Sequence, residues 1–133
     1  MVSMLIPKFK AAPNATTSKQ AGDAAEEDAL RHLQRAGLRL VTRNYRTPGR
    51  GGGEIDLIMR EPDRTTVFVE VRALQGAEHG GAAASISAAK QRRIVFAARP
   101  YLMRLRETPP CRFDVVVVDG QYMQWLRAAF DVA

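Results

Sequence analysis

Two stretches of alternating apolar and polar residues, Glu54–Met59 and Val67–Arg72, are separated by a short polar segment containing Pro62 and Asp63. Period-two alternation predicts strands, and the segment between them predicts a hairpin turn. On the first strand Glu54, Asp56 and Ile58 share a face, with Ile55, Leu57 and Met59 behind them. On the second, Phe68, Glu70 and Arg72 share a face, opposite the valines Val67, Val69 and Val71. A register centred near Asp63 sets Asp56 directly across from Glu70.

The periodicity elsewhere supplies the scaffold. Residues 1–17 contain Pro7, Pro13 and Asn14 and show no repeat, which predicts a disordered arm ahead of a single domain at 18–133. Thr17 or Ser18 caps a helix running to about Ala36, stopped by Gly37, with Ala29, Leu30, Leu33 and Ala36 as its buried stripe. Glu26 falls on that stripe, one turn before Leu30. Leu38–Tyr45 reads as a strand and leads into the glycine-rich TPGRGGG segment. Beyond Arg72, the Gly/Ala-rich ALQGAEHGGAAAS reads as a flexible crossover. Ser85 or Ser87 then caps a second helix over Ala88–Leu105, with Ile94, Ala97, Ala98, Tyr101, Leu102 and Leu105 inward and Pro100 in its middle. RFDVVVV is an inner strand, Asp119-Gly120 a tight turn and Gln121–Leu126 an edge strand. The order helix, three strands, helix, two strands predicts an α/β fold: a mixed sheet flanked by helices.

Composition narrows this picture. A chain of 133 residues, 46% hydrophobic and 26% charged, suits one soluble domain with a real core. No apolar run reaches the roughly 18 residues a membrane span needs, and the single cysteine, Cys111, fits a reducing cytoplasm. The net charge of +6 favours a polyanionic partner, most simply nucleic acid, with plain solubility as the alternative. Arg46 and Arg50 flank a glycine-rich segment whose backbone can approach a phosphate closely. Lys90, Arg92 and Arg93 crowd the start of the second helix, where acids are usually preferred, as expected if that helix end meets phosphates. A solvated basic face is the other reading.

The hairpin carries the candidate chemistry. Opposed residues on one face of an antiparallel pair have Cβ atoms about 4.5–5.5 Å apart, and two buried carboxylates that close repel. A divalent cation between Asp56 and Glu70 removes the repulsion, and oxygen ligands suit Mg or Mn. Taken alone, the Glu-x-Asp and Glu-x-Arg patterns leave a metal site and a structural salt-bridge cluster equally open.

GEIDLI, followed by FVEVR and then by KQRRI, resembles the YraN-like family of small bacterial proteins, described as predicted endonucleases distantly similar to archaeal Holliday-junction resolvases. The resemblance runs from about Gly22 to Asp131 and includes RFDVVVVDG and the closing AFD. It implies a restriction-endonuclease-like fold, with Asp56 and Glu70 as metal ligands and the Val71 carbonyl as a third protein ligand. Arg72 stands where that fold's motif has a lysine, and Glu26 matches the helix glutamate. Ala73 and Leu74 occupy positions where family members tend to carry a further basic residue.

On this resemblance the chain is expected to be a Mg- or Mn-dependent endonuclease acting on structured or branched DNA. A nucleic-acid-binding protein on a nuclease scaffold, without catalysis, is the alternative. Arg72 cannot act as a base; it is expected to orient water or offset charge on the phosphate. The sequence leaves oligomeric state open, although junction-resolving relatives are typically dimers and a valine-rich sheet edge could pair in a homodimer.

Overall fold

A reciprocal capping box starts the first helix: the Gln20 amide donates to Thr17 Oγ1 (3.1 Å), and the Thr17 amide donates to Gln20 Oε1 (2.9 Å). The computed structural model describes residues 3–7, 17–47, 52–74, 86–120 and 122–131. Helix α1 spans Ser18–Arg35 and α2 spans Ala88–Met103. The strands are β1 (Ser3–Pro7), β2 (Arg39–Arg46), β3 (Glu54–Arg60), β4 (Thr66–Leu74), β5 (Cys111–Asp119) and β6 (Tyr122–Phe130). They form one sheet in the order β1-β6-β5-β4-β3-β2.

Among the described residues β4 and β5 pair in parallel and the other four pairings are antiparallel. A parallel pair needs a long crossover, and α2 supplies it. Each helix covers one face. Ala25, Ala29, Leu30 and Leu33 of α1 pack on Leu57, Met59, Val67, Val69, Val116 and Val118. Ile94, Val95, Ala97, Ala98 and Tyr101 of α2 pack on Ile55, Ile58, Phe68 and Phe113. Strands buried on both faces explain the unbroken valine run of β5. This is the expected α/β restriction-endonuclease-like architecture, a mixed sheet flanked by helices in the order αβββαββ, with β1 added in front. Among the described residues no helix is long and apolar enough to cross a membrane.

Several expectations are corrected. Ser3–Pro7, assigned to a disordered arm, is a strand paired with β6 from Ser3↔Leu126 to Pro7↔Tyr122. Its apolar core is too short to show a period, but β6 offers an open row of backbone donors and acceptors. Residues 8–16 of that arm lie outside the described residues. With β1 in place, β6 is not an edge strand. The valine-rich strands β4 and β5 lie inside the sheet, so the edge invoked for a homodimer is not valine-rich. Ala36 is exposed, because α1 has already ended at Arg35; the buried stripe starts instead at Ala25, one turn before Ala29.

Candidate active site

The turn between β3 and β4 sets the register. Asp63 Oδ1 accepts from the Thr65 amide (2.9 Å), the Glu61 amide donates to the Thr65 carbonyl (2.9 Å), and Arg64 sits at φ 77°. The ladder then runs Arg60↔Thr66, Met59↔Val67, Ile58↔Phe68, Leu57↔Val69. One step further, the same register brings Asp56 opposite Glu70. There the backbone pairing stops. The Val71 amide, which would continue the ladder, donates instead to Asp56 Oδ2 (2.8 Å). A strand residue's N–H and C=O point towards the same neighbour, so the Val71 carbonyl faces the same opening between β3 and β4.

Burial dominates the electrostatics of the pair. Glu70 is 9% exposed, and its carboxyl is pushed up to about 8, first by burial and then by the negative charge of Asp56. Burial also raises Asp56, opposed by the Val71 amide, by a hydrogen bond with Glu70 and by Lys90. Burial raises both carboxyls and each repels the other when ionised, so the pair as a unit favours holding one proton between them. Lys90 Nζ lies 3.5 Å from Glu70 Oε2. The other oxygen, Glu70 Oε1, is buried without a hydrogen-bond partner among the described residues. An orphaned acceptor of this kind is uncommon in folded proteins and calls for a ligand or a functional reason.

Glu26 stands at the margin of the α1 stripe, half-buried beside the fully buried Ala25. Its carboxyl is pushed up to about 7 by burial and then by the charges of Asp56 and Glu54, with Arg43 opposing. It feels the pair without joining it: among the described residues no three of His, Cys, Asp or Glu converge on one metal position.

The basic residues separate into groups. Arg72, Lys90 and Arg93 line an open cleft of about 510 Å³ together with Glu70, Ala73 and Ser87. Arg92 lines a different hollow of about 460 Å³ with Phe96, Arg99 and Asp131. Arg46 pairs with Glu54 (2.9 Å). Arg50 lies outside the described residues. A larger cavity of about 1090 Å³, lined by Arg39, Arg60, Glu61, Asp63 and Arg106 among others, lies around the β3–β4 turn and contains none of the candidate site residues that are described.

Two supporting features were not drawn from the sequence. Glu54 adds its charge to both Asp56 and Glu26; it was visible on the Asp56 face, but no pattern marked it. Gly53 abuts α2 so closely that a Cβ there would sit 2.4 Å from the Arg93 carbonyl oxygen. The Thr47 hydroxyl accepts from the Gly53 amide (3.1 Å), and the Thr47 amide donates to the Gly53 carbonyl (3.3 Å). The run of three glycines was the available signal, although it could not say which one touches the helix.

The family model described as "Uncharacterised protein family UPF0102" matches residues 25–118. A UPF0102 protein of Albidiferax ferrireducens is 73% identical over 128 residues, covering 96% of this chain and 98% of that relative. One of Paracidovorax citrulli is 66% identical over 120 residues, covering 90% and 89%. Another, from Cupriavidus pinatubonensis, is 52% identical over 128 residues, covering 96% and 94%.

Proposed function

Because this chain belongs to the uncharacterised protein family UPF0102, the YraN family, kinship supplies no activity, and we propose from the site itself a metal-dependent endonuclease that hydrolyses phosphodiester bonds in structured or branched DNA. The observation that carries this reading is the buried Asp56–Glu70 pair, two acids set against each other with one Glu70 oxygen that has no hydrogen-bond partner among the described residues. Asp56, Glu70 and the Val71 carbonyl would hold a Mg or Mn ion, whose charge would offset the repulsion of the two acids and occupy the open oxygen. Hard oxygen donors fit either ion, with positions left for water and phosphate.

The ion supplies Lewis-acid polarisation of the phosphate when bound. The chain's own groups do the rest. The Val71 amide fixes the orientation of Asp56. Arg72 and Arg93, in the cleft beside Glu70, bind phosphate oxygens of the substrate backbone. Glu26, with its carboxyl near 7, is able to take a proton from the attacking water at neutral pH. Such contacts read the backbone rather than the base edges, so sequence preference is low.

One observation favours the non-catalytic alternative: among the described residues the third carboxylate does not complete a metal cluster. Two measurements separate the readings. Calorimetry with Mn²⁺ is expected to show one site in the wild type and none in Asp56→Ala. A cleavage assay over duplex, flap, junction and single-stranded DNA with Mn²⁺ is expected to show cutting that Asp56→Ala reduces at least about 100-fold. Metal binding without cutting would leave the binding protein; neither would remove the metal site altogether.

A further inference from the structure

Resting on the endonuclease reading, we infer that the cation meeting the scissile phosphate is Lys90 of α2, whereas Arg72, in the Glu-x-Arg pattern, serves to hold substrate. The reaction centre is then completed across two layers of the fold, with carboxylates from the sheet and an ammonium from the helix above it.

The geometry points there first. Lys90 Nζ is 3.5 Å from Glu70 Oε2, and its charge reaches Asp56 as well. Its side chain is 41% exposed, so one side meets the carboxylate while the rest opens into the cleft shared with Arg72 and Arg93. A lysine serving only as a distant backbone contact has no reason to lean on the buried pair.

The helix start is also held in place. Ser87 Oγ accepts from the Lys90 amide (3.1 Å), and Gln91 Nε2 donates to the Ile86 carbonyl (2.9 Å). Gly53 seats the Arg93 carbonyl directly against the entry to β3. Lys90 therefore issues from backbone fixed relative to Asp56 and Glu70. No acidic residue lies in the first turn of α2, so a cation there works against the helix dipole. Anions on both sides compensate it: the carboxylates below and a phosphate at the helix N-terminus above.

The two cations are chemically suited to different tasks. Lysine is a compact point charge with three donors, able to touch a carboxylate and a phosphate oxygen together. Arginine's planar fork favours bidentate capture of a phosphate. In the hydrolysis water attacks phosphorus and a P–O ester bond breaks, the departing oxygen leaving with a proton drawn from solvent. Lys90 forms and breaks no covalent bond and keeps its protons throughout.

The test uses full-length protein, Mn²⁺ and the branched DNA that the wild type cuts best. Lys90→Met, Lys90→Gln and Arg72→Met are compared for kcat and KM, with folding checked by thermal melting. Both Lys90 variants are expected to lose about 100-fold or more in kcat, as when one preorganised charge-stabilising donor is removed, with KM changed less than about threefold. Arg72→Met is expected to raise KM more than it lowers kcat. Mn²⁺ affinity should persist in the Lys90 variants. The assignment is overturned if they keep kcat within threefold of wild type while KM rises, or if Arg72→Met gives the larger kcat loss. A wild type that binds Mn²⁺ but cuts nothing overturns the endonuclease reading, and this assignment with it.

Discussion

Replacing Glu70 with glutamine tests whether the buried pair is a store of electrostatic cost. The Glu70 carboxyl moves from an ordinary 4.5 to about 8 on folding, chiefly through burial and then through the charge of Asp56. Its sign follows from proton counting. Between those values the folded chain holds a proton that the unfolded chain has released, so stability falls as pH rises through the window. Below 4.5 the carboxyl is neutral in both states and costs nothing; above 8 the penalty is complete. At about 1.4 kcal/mol for each pH unit separating the two values, the ceiling is about 5 kcal/mol. Sharing of the proton with Asp56 reduces the effect to roughly 2–4 kcal/mol. Glutamine keeps the shape, can still donate to Asp56 and has nothing to ionise. Urea unfolding at fixed pH values from 5 to 9, followed by Trp125 fluorescence in the presence of chelator, should show wild type losing roughly 2–4 kcal/mol more than Glu70→Gln. Glu26, raised to about 7, contributes to both proteins and cancels to first order in the comparison. Adding Mn²⁺ at pH 8, at about 100 times its Kd, should return about 2.7 kcal/mol to wild type and little to the variant. Parallel pH profiles, differing by less than about 0.5 kcal/mol across the range, would refute the reasoning.

Two further substitutions probe the supports. Asp114 is fully buried and accepts from Arg112 Nε (3.0 Å), Trp125 Nε1 (2.9 Å) and the Ala128 amide (2.9 Å); Asp114→Asn should cost about 3–5 kcal/mol in urea unfolding, as when one partner of a buried ion pair is lost, and a loss under about 1 kcal/mol would contradict it. Gly53→Ala drives a methyl into the Arg93 carbonyl, a backbone atom that cannot rotate away, and should cost about 1–3 kcal/mol. Gly22→Ala, within α1 and with nothing inside 4 Å of its new Cβ, should instead gain about 0.5–1 kcal/mol, so equal melting shifts in the two variants would count against the close approach.

What the sequence made legible was local. Alternation in β3 and β4, with the Asp63 turn between them, was enough to set Asp56 against Glu70, because a hairpin register depends only on residues near the turn. The cap at Thr17 and the stripe through Ala29, Leu30 and Leu33 marked α1 for the same reason. The illegible parts depend on how elements dock. Whether Glu26 or Ala25 faces the sheet is decided by the rotation of α1, and the buried place goes to Ala25. Arg92 and Arg93 are adjacent in sequence but about 100° apart around a helix, so they open onto different hollows. Lys90 reaches Glu70 only because α2 packs across the face that carries it, a contact spanning 20 positions that no period records. The β1 pairing joins opposite ends of the chain and has no local signature at all.

A neighbouring acid in the same sheet, Asp114, shows how this fold treats a carboxylate that serves packing alone. Val69 pairs with Asp114 and Glu70 with Val115, so the two acids occupy successive positions on adjoining strands and point to opposite faces of the same sheet. Asp114 is treated as a structural carboxylate must be. Arg112, Trp125 and the Ala128 amide all donate to it, and Glu61 gathers Arg112 and Arg127 beside it. Glu70 receives different treatment: a carboxyl partner that repels it when ionised, a half-exposed lysine at 3.5 Å and an oxygen with no donor among the described residues. A sheet that satisfies one buried acid so fully has the means to satisfy the next. Leaving a Glu70 oxygen open beside Asp56 makes physical sense if a cation arriving from solution is to complete it.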